Sequence, residues 1–196
     1  MALKWRIVVI ALLQTCALAA ILADRATILA SQREIVLATE PVDPRDLFRG
    51  DFVTLNYTAS QIDVATVGGD NVFDKGQDAY VVFAESDHLW QPVAIYRHRL
   101  ASKARASGEV MVKARVINSY LTDPDHPEKP CPEGCETEVL SYGVESYFVP
   151  EGSGAELEDA RNDAGLEIVI AVRSDGRAAI KALQLDGRVL SQEGIF

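Results

Sequence analysis

Leu166 to Leu190 reads LEIVIAVRSDGRAAIKALQLDGRVL, and the period of this stretch decides the fold class. Two apolar runs, Leu166–Arg173 and Arg177–Leu185, are joined at Asp175-Gly176. That dipeptide tolerates positive φ and suits the two-residue turn of an antiparallel hairpin. Asp186-Gly187 repeats the signal eleven residues later, so Arg188–Leu190 is expected to add a third strand. Two short DGR turns in succession describe a meander and not a repeat architecture.

The same reading extends towards the N-terminus. Strands are expected at Glu34–Thr39, Phe52–Tyr57, Ala79–Glu85, Pro92–Leu100, Glu109–Asn118 and Val139–Val149. Within Glu109–Asn118, Val110, Val112, Ala114 and Val116 fall on one face, the spacing of a half-buried strand. Gly68-Gly69-Asp70-Asn71 reads as a loop, and Asp123–Thr137, rich in proline and charge, as the most loop-like segment. Two short helices are expected. One runs from Asp43, with Pro44 in its first turn and Gly50 past its end. The other opens at the Ser153/Glu156 capping box and runs to about Arg161. The fold class is therefore mainly β, an antiparallel sandwich or open barrel-like ectodomain with two short helices. One N-terminal transmembrane helix precedes it. Helices do not alternate with strands, so a parallel α/β sheet is not indicated.

The helix is read from the first residues. Ile7 to Ala23 is apolar apart from Gln14, Thr15 and Cys16, with Lys4 and Arg6 before it and Asp24-Arg25 after it. Seventeen residues lie at the short end of the ~17–25 that span a bilayer. Basic residues ahead of the span orient the N-terminus inside and the rest outside. This makes residues 1–24 a membrane anchor, 25–33 a juxtamembrane linker and 34–196 a β-rich extracytoplasmic domain. The expected location is the inner, cytoplasmic membrane, with the domain periplasmic or extracellular. Ala17-Leu18-Ala19 also fits a signal-peptidase cleavage pattern, so a cleaved signal is the rival reading; both export the domain.

The formal net charge is -10, and beyond residue 23 it is -12. Such a surface repels phosphate backbones and anionic headgroups, so nucleic acid and peripheral membrane binding are not expected. Cys131 and Cys135, in CPEGC, lie outside the reducing cytosol, where a local disulfide is allowed; free thiols or a metal site with His126 are the alternatives. No cofactor and no metal centre is expected.

The most distinctive stretch is DPRDLFRGDFVTLNY, residues 43–57. Gly50 closes a helical turn, Asp51 can accept backbone amides, and Leu55 and Tyr57 share a face with Val53. A second stretch, YGVESYFVPEGSG, covers Tyr142 to Gly154. Alternation there sets Leu140, Tyr142, Val144 and Phe148 on one face and Ser141, Gly143, Glu145 and Tyr147 on the other. Glu145 beside Tyr147 and small residues is the best single candidate for a functional acid, against the plainer reading of a solvent-facing pair.

Both stretches resemble the membrane-associated family named for its GDYXXLXY motif, here Gly50-Asp51-Phe52-Val53-Thr54-Leu55-Asn56-Tyr57. Phe52 stands where the family's name has Tyr, so the ring is kept and the hydroxyl lost. The resemblance implies a small anchored protein, often encoded beside a multi-span membrane protein, and implies no reaction. Gly50, Asp51, Leu55, Tyr57, Tyr142 and Gly143 would be the structural motif, and Arg49, Asp51, Glu145 and Tyr147 the binding candidates.

Three functions follow as expectations. The first is an accessory protein of an integral multi-span partner, held to the bilayer by its helix. The second is an extracytoplasmic small-ligand or sensor domain, with Arg49, Asp51 and Glu145 around a shallow site. The third is an anchored hydrolase. Signal peptidases are its nearest analogy, yet Ser31 lacks their box, and neither Lys103 nor Lys113 sits in a recognisable context. His88, His98 and His126 have no nucleophile-elbow sequence to serve.

Overall fold

The computed structural model describes residues 2–40, 52–101, 105–123, 126–130, 136–148, 166–185 and 187–192. Helix α1 spans Ala2–Leu29, past the end of the apolar run and into the expected linker. Its stretch Lys4–Leu29 is long and apolar enough to cross a membrane. From Trp5 to Leu22 the large apolar side chains stand exposed on all sides of the helix, as they would against lipid.

Two sheets follow. The first has five strands in the order β14-β13-β12-β1-β3, formed by Arg188–Gln192 (β14), Ala178–Leu185 (β13), Glu167–Val172 (β12), Glu34–Glu40 (β1) and Asn56–Tyr57 (β3). The second runs β4-β10-β8-β6-β7-β5. It is formed by Gln61–Asp63 (β4), Glu136–Ser141 (β10), Val110–Asp123 (β8), Asp78–Ser86 (β6), Leu89–Tyr96 (β7) and Gly68–Gly69 (β5). His126–Pro130 (β9) pairs with β8 off this path, and Phe52–Thr54 (β2) pairs with Ser146–Phe148 (β11) alone.

The meander read at 166–190 is the edge of the first sheet. Ala178 pairs with Val172 and Arg188 with Leu185, each antiparallel. The alternation of β8 sends Val110, Val112, Ala114 and Val116 into one apolar core shared with Ile35, Leu37, Ile168, Ile170 and Leu183 of the first sheet. Burying each large aliphatic side chain there contributes about 1.5–3 kcal/mol, which is why the two sheets stay face to face.

Several expectations are corrected. Asp123–Thr137 is not all loop, because β9 and the first residues of β10 lie within it and pair with β8. The strand expected at Pro92–Leu100 lies at Leu89–Tyr96, because the β6–β7 turn takes only Asp87 and His88, both at positive φ. Gly68-Gly69 forms a short strand parallel to Ala94-Ile95, the one parallel pairing among the described residues. Gly69 has φ +106, and a Cβ there would lie 2.0 Å from the Ile95 carbonyl oxygen, so only glycine fits. Phe52–Tyr57 is two strands, with Leu55 between β2 and β3. Both expected short helices lie outside the described residues; a 3-10 turn occupies Thr58–Ser60.

Candidate functional site

The two motif segments meet. Leu55 donates its backbone amide to the Glu145 carbonyl at 2.8 Å. Tyr57 is fully buried, and its hydroxyl donates to the Val144 carbonyl at 2.5 Å. Tyr142, also buried, donates its hydroxyl to the Ala59 carbonyl at 2.6 Å. The two rings meet edge to face with centroids 6.4 Å apart. Burial first, and the Glu145 charge second, push both phenols far above their ordinary value of 10.0. They are held neutral as hydrogen-bond donors, and neither is poised to give up a proton.

Glu145 is half-buried, and one carboxylate oxygen, Oε1, accepts from two backbone amides. Those are Tyr142 N and, at 3.2 Å, Gly143 N. The carboxylate thus closes the turn at 142–145, where Gly143 takes φ +76. That turn breaks the single strand expected from Val139 to Val149. After it the chain pairs with β2, Ser146 opposite Thr54 and Phe148 opposite Phe52. The expected face is thereby reversed: Tyr147 is 4% exposed and Phe148 75% exposed. Tyr147 does not stand beside Glu145 on an open face, and its hydroxyl meets Ser191 Oγ of β14 at 2.8 Å. Leu55, Tyr57, Tyr142, Gly143, Glu145 and Tyr147 therefore come together as one corner between the sheets. Arg49, Gly50, Asp51, Cys131 and Cys135 lie outside the described residues.

Beside this corner an open cleft of about 390 Å3 is bounded by Ile28 of α1, Asp78, Lys113 and Arg115 of the second sheet, Tyr142-Gly143 and Arg177. Lys113 Nζ lies 2.6 Å from Asp78 and Arg115 3.6 Å from it. The hydrogen bond from Lys113 is the main cause holding the Asp78 carboxyl below its ordinary value. Among the described residues no group of three or more His, Cys, Asp and Glu could hold a metal ion.

Sequence reasoning missed the junction of helix and domain. Asp24, the first charge after the apolar run, accepts from Arg173 Nη1 at 2.8 Å and from Arg177 Nη1 at 2.6 Å. Arg173 also donates to Thr27 Oγ1 at 2.9 Å and to Asp175. Beneath these bonds Ile28 and Leu29 pack on Ala179 of β13, where the small side chains of Ala171 and Ala179 stand opposite each other. Ser31 Oγ adds a bond to the Val172 carbonyl at 2.6 Å. The DGR hairpin signal at 175–177 was visible in the chain, but nothing local linked it to Asp24.

The model of the family described as GDYXXLXY protein matches residues 14–183. No curated protein and no solved structure is similar enough to match the chain. With the motif corner formed from both segments and the family match running from α1 into β13, the chain belongs to the GDYXXLXY protein family.

Proposed function

We propose that the chain is a membrane-anchored accessory protein. In this reading α1 crosses the inner membrane with its N-terminus inside, and the β domain docks outside the cytoplasm onto an integral multi-span partner. The observation that carries the reading is the latch between helix and domain. A domain on a flexible tether would sample many orientations, whereas Asp24, Arg173, Arg177 and the Ile28–Ala179 contact hold this one in a single pose relative to α1. A fixed pose is useful to a protein that must present one face to a partner in the same bilayer, because it reduces the ordering cost of docking. The apolar surface of α1 supplies a second contact within the membrane. The motif tyrosines fit this reading, since their hydroxyls are spent on backbone carbonyls inside the scaffold.

Affinity purification of the full-length chain in mild detergent, at native expression, is the test. A multi-span membrane protein is expected to co-purify in constant proportion. Recovery of the chain alone, in several mild detergents, would overturn the reading.

A second reading, an extracytoplasmic small-ligand domain, is favoured by the cleft at Asp78, Lys113 and Arg115. A small molecule that raises the melting temperature of the wild type, and not of Lys113→Ala, would support it over the first.

A further inference from the structure

The charge of this chain is distributed against its average. The net charge is -10, yet the end of the domain that meets α1 gathers arginines from four separate segments. Arg173 and Arg177 flank the β12–β13 turn and bond to Asp24. Arg99 reaches the same turn, donating to the Ser174 carbonyl at 2.6 Å. Arg33 follows the helix, its carbonyl accepting from Val172 N at 2.8 Å. Arg105 lies close enough to Arg33 and Arg99 that their charges repel, and this, after burial, lowers its pKa. Its Nε is buried with no hydrogen-bond partner among the described residues. Among the described residues, Asp24, Asp175 and Glu109 stand against these five.

Like charges drawn together cost free energy unless something of opposite sign completes them. Asp24 and Asp175 are already shared by Arg173 and Arg177, so among the described residues Arg33, Arg99 and Arg105 are left with only Glu109 and part of the Asp175 charge against them. Their position is set by Asp24, one residue beyond the apolar run. If α1 crosses the bilayer along its apolar run, Ile7–Ala23, the 173–177 turn bonded to Asp24 would lie where the helix leaves the hydrocarbon, since each helical residue rises about 1.5 Å. The headgroup layer, about 5–8 Å thick, would begin at that level. Arginine on the translocated side of a span is also what the positive-inside tendency disfavours, so topology does not explain it.

We infer that Arg33, Arg99 and Arg105 form a docking surface for anionic phospholipid headgroups of the leaflet from which α1 emerges. Guanidinium groups suit it, since each can take two phosphate oxygens at once. The headgroups complete the arginine cluster, and the cluster holds the domain down on the bilayer while its acidic remainder faces away. The inference rests on α1 spanning the bilayer and is independent of the multi-span partner.

The test uses the full-length chain in nanodiscs of phosphatidylcholine, or of phosphatidylcholine and phosphatidylglycerol in equal parts. The melting temperature is expected to be at least about 3 °C higher in the anionic discs. That difference is expected to disappear in molar salt, where the screening length falls to about 3 Å. It should vanish when Arg33→Gln, Arg99→Gln and Arg105→Gln are combined, and persist when the same three become lysine. Comparing each variant with itself across the two discs cancels any loss of fold stability. If the glutamine variant does not fold, the salt dependence of the wild type and the lysine variant decide. Equal melting of the wild type in both discs overturns the inference, as does a difference that survives molar salt. Soluble glycerol phosphate giving the same rise in neutral discs would make the ligand a free phosphate and overturn the lipid assignment. A chain that fails to enter either disc refutes the anchor instead.

Discussion

Tyr57→Phe isolates the motif's last residue as scaffold. The substitution keeps the ring, so the edge-to-face contact with Tyr142 and the burial of both side chains are retained. It removes one atom, the hydroxyl that donates to Val144 O at 2.5 Å. A buried carbonyl left without its donor costs about 1–3 kcal/mol, because the desolvation of the acceptor is no longer offset. Taking about 2 kcal/mol, and about 2–4 °C per kcal/mol for a domain of this size, the melting temperature should fall by about 4–8 °C. The assay is thermal unfolding of the full-length chain in detergent, followed by near-ultraviolet circular dichroism. Tyr120→Phe is the control: its ring is exposed, and an exposed substitution is expected within about 0.5 kcal/mol. Co-purification with a membrane partner should persist in folded Tyr57→Phe, because the hydroxyl faces inward. A Tyr57→Phe protein that melts within about 1 °C of the wild type would refute the reasoning. The hydroxyl would then have another purpose, and the buried corner would have to be reconsidered as a site.

Glu145→Ala removes the acceptor for Tyr142 N and Gly143 N and should cost about 0.5–2 kcal/mol, as the loss of a capping side chain does. Glu145→Gln keeps an acceptor oxygen and should melt between the two; chemical denaturation of the three proteins checks the order. Gly69→Ala should be severely destabilising, since its Cβ would meet the Ile95 carbonyl oxygen at 2.0 Å. Gly76→Ala meets nothing within 4 Å and should lose only about 1–2 kcal/mol for its positive φ, which parallel melting curves would show. For Tyr57 and Tyr142 the folded state raises the phenol pKa above its unfolded value of 10.0, so their stabilisation is complete below that pH. It is lost as the pH climbs above 10.0, because the unfolded chain can then release protons that the folded one retains. Titration above that point should show stability falling with pH in the wild type, and less steeply in Tyr57→Phe.

Much of the architecture was legible because it follows local periods. The apolar run at 7–23, the alternation of Val110, Val112, Ala114 and Val116, and the Asp175-Gly176 turn each depend on residues close in sequence. They specify a helix or a strand wherever the chain packs. The candidate site was legible only in part. Leu55, Tyr57 and Tyr142 face inward as the period-two reading expects, although Leu55 lies between β2 and β3 and Tyr142 just beyond β10. Glu145 and Tyr147 do not share a face as alternation suggests, because the turn at 142–145, with Gly143 at φ +76, folds the Glu145 carboxylate back onto the Tyr142 and Gly143 amides before the next strand begins. Beyond that turn the chain takes β2 as its partner, and a pleat of period two restarted after a turn can face either way.

By itself, the sequence determined the membrane-length helix, the antiparallel β character and the acidic average, since each is a sum over residues or a short-range pattern. The tertiary structure alone decided that Tyr147 is buried and Phe148 exposed, that Asp24 meets a hairpin 149 residues later, and that arginines cluster where α1 ends. The physical reason is that these contacts depend on strand partners and on the packing of α1 against β12 and β13. No single segment encodes either, because each is fixed only when the two sheets close on a common core.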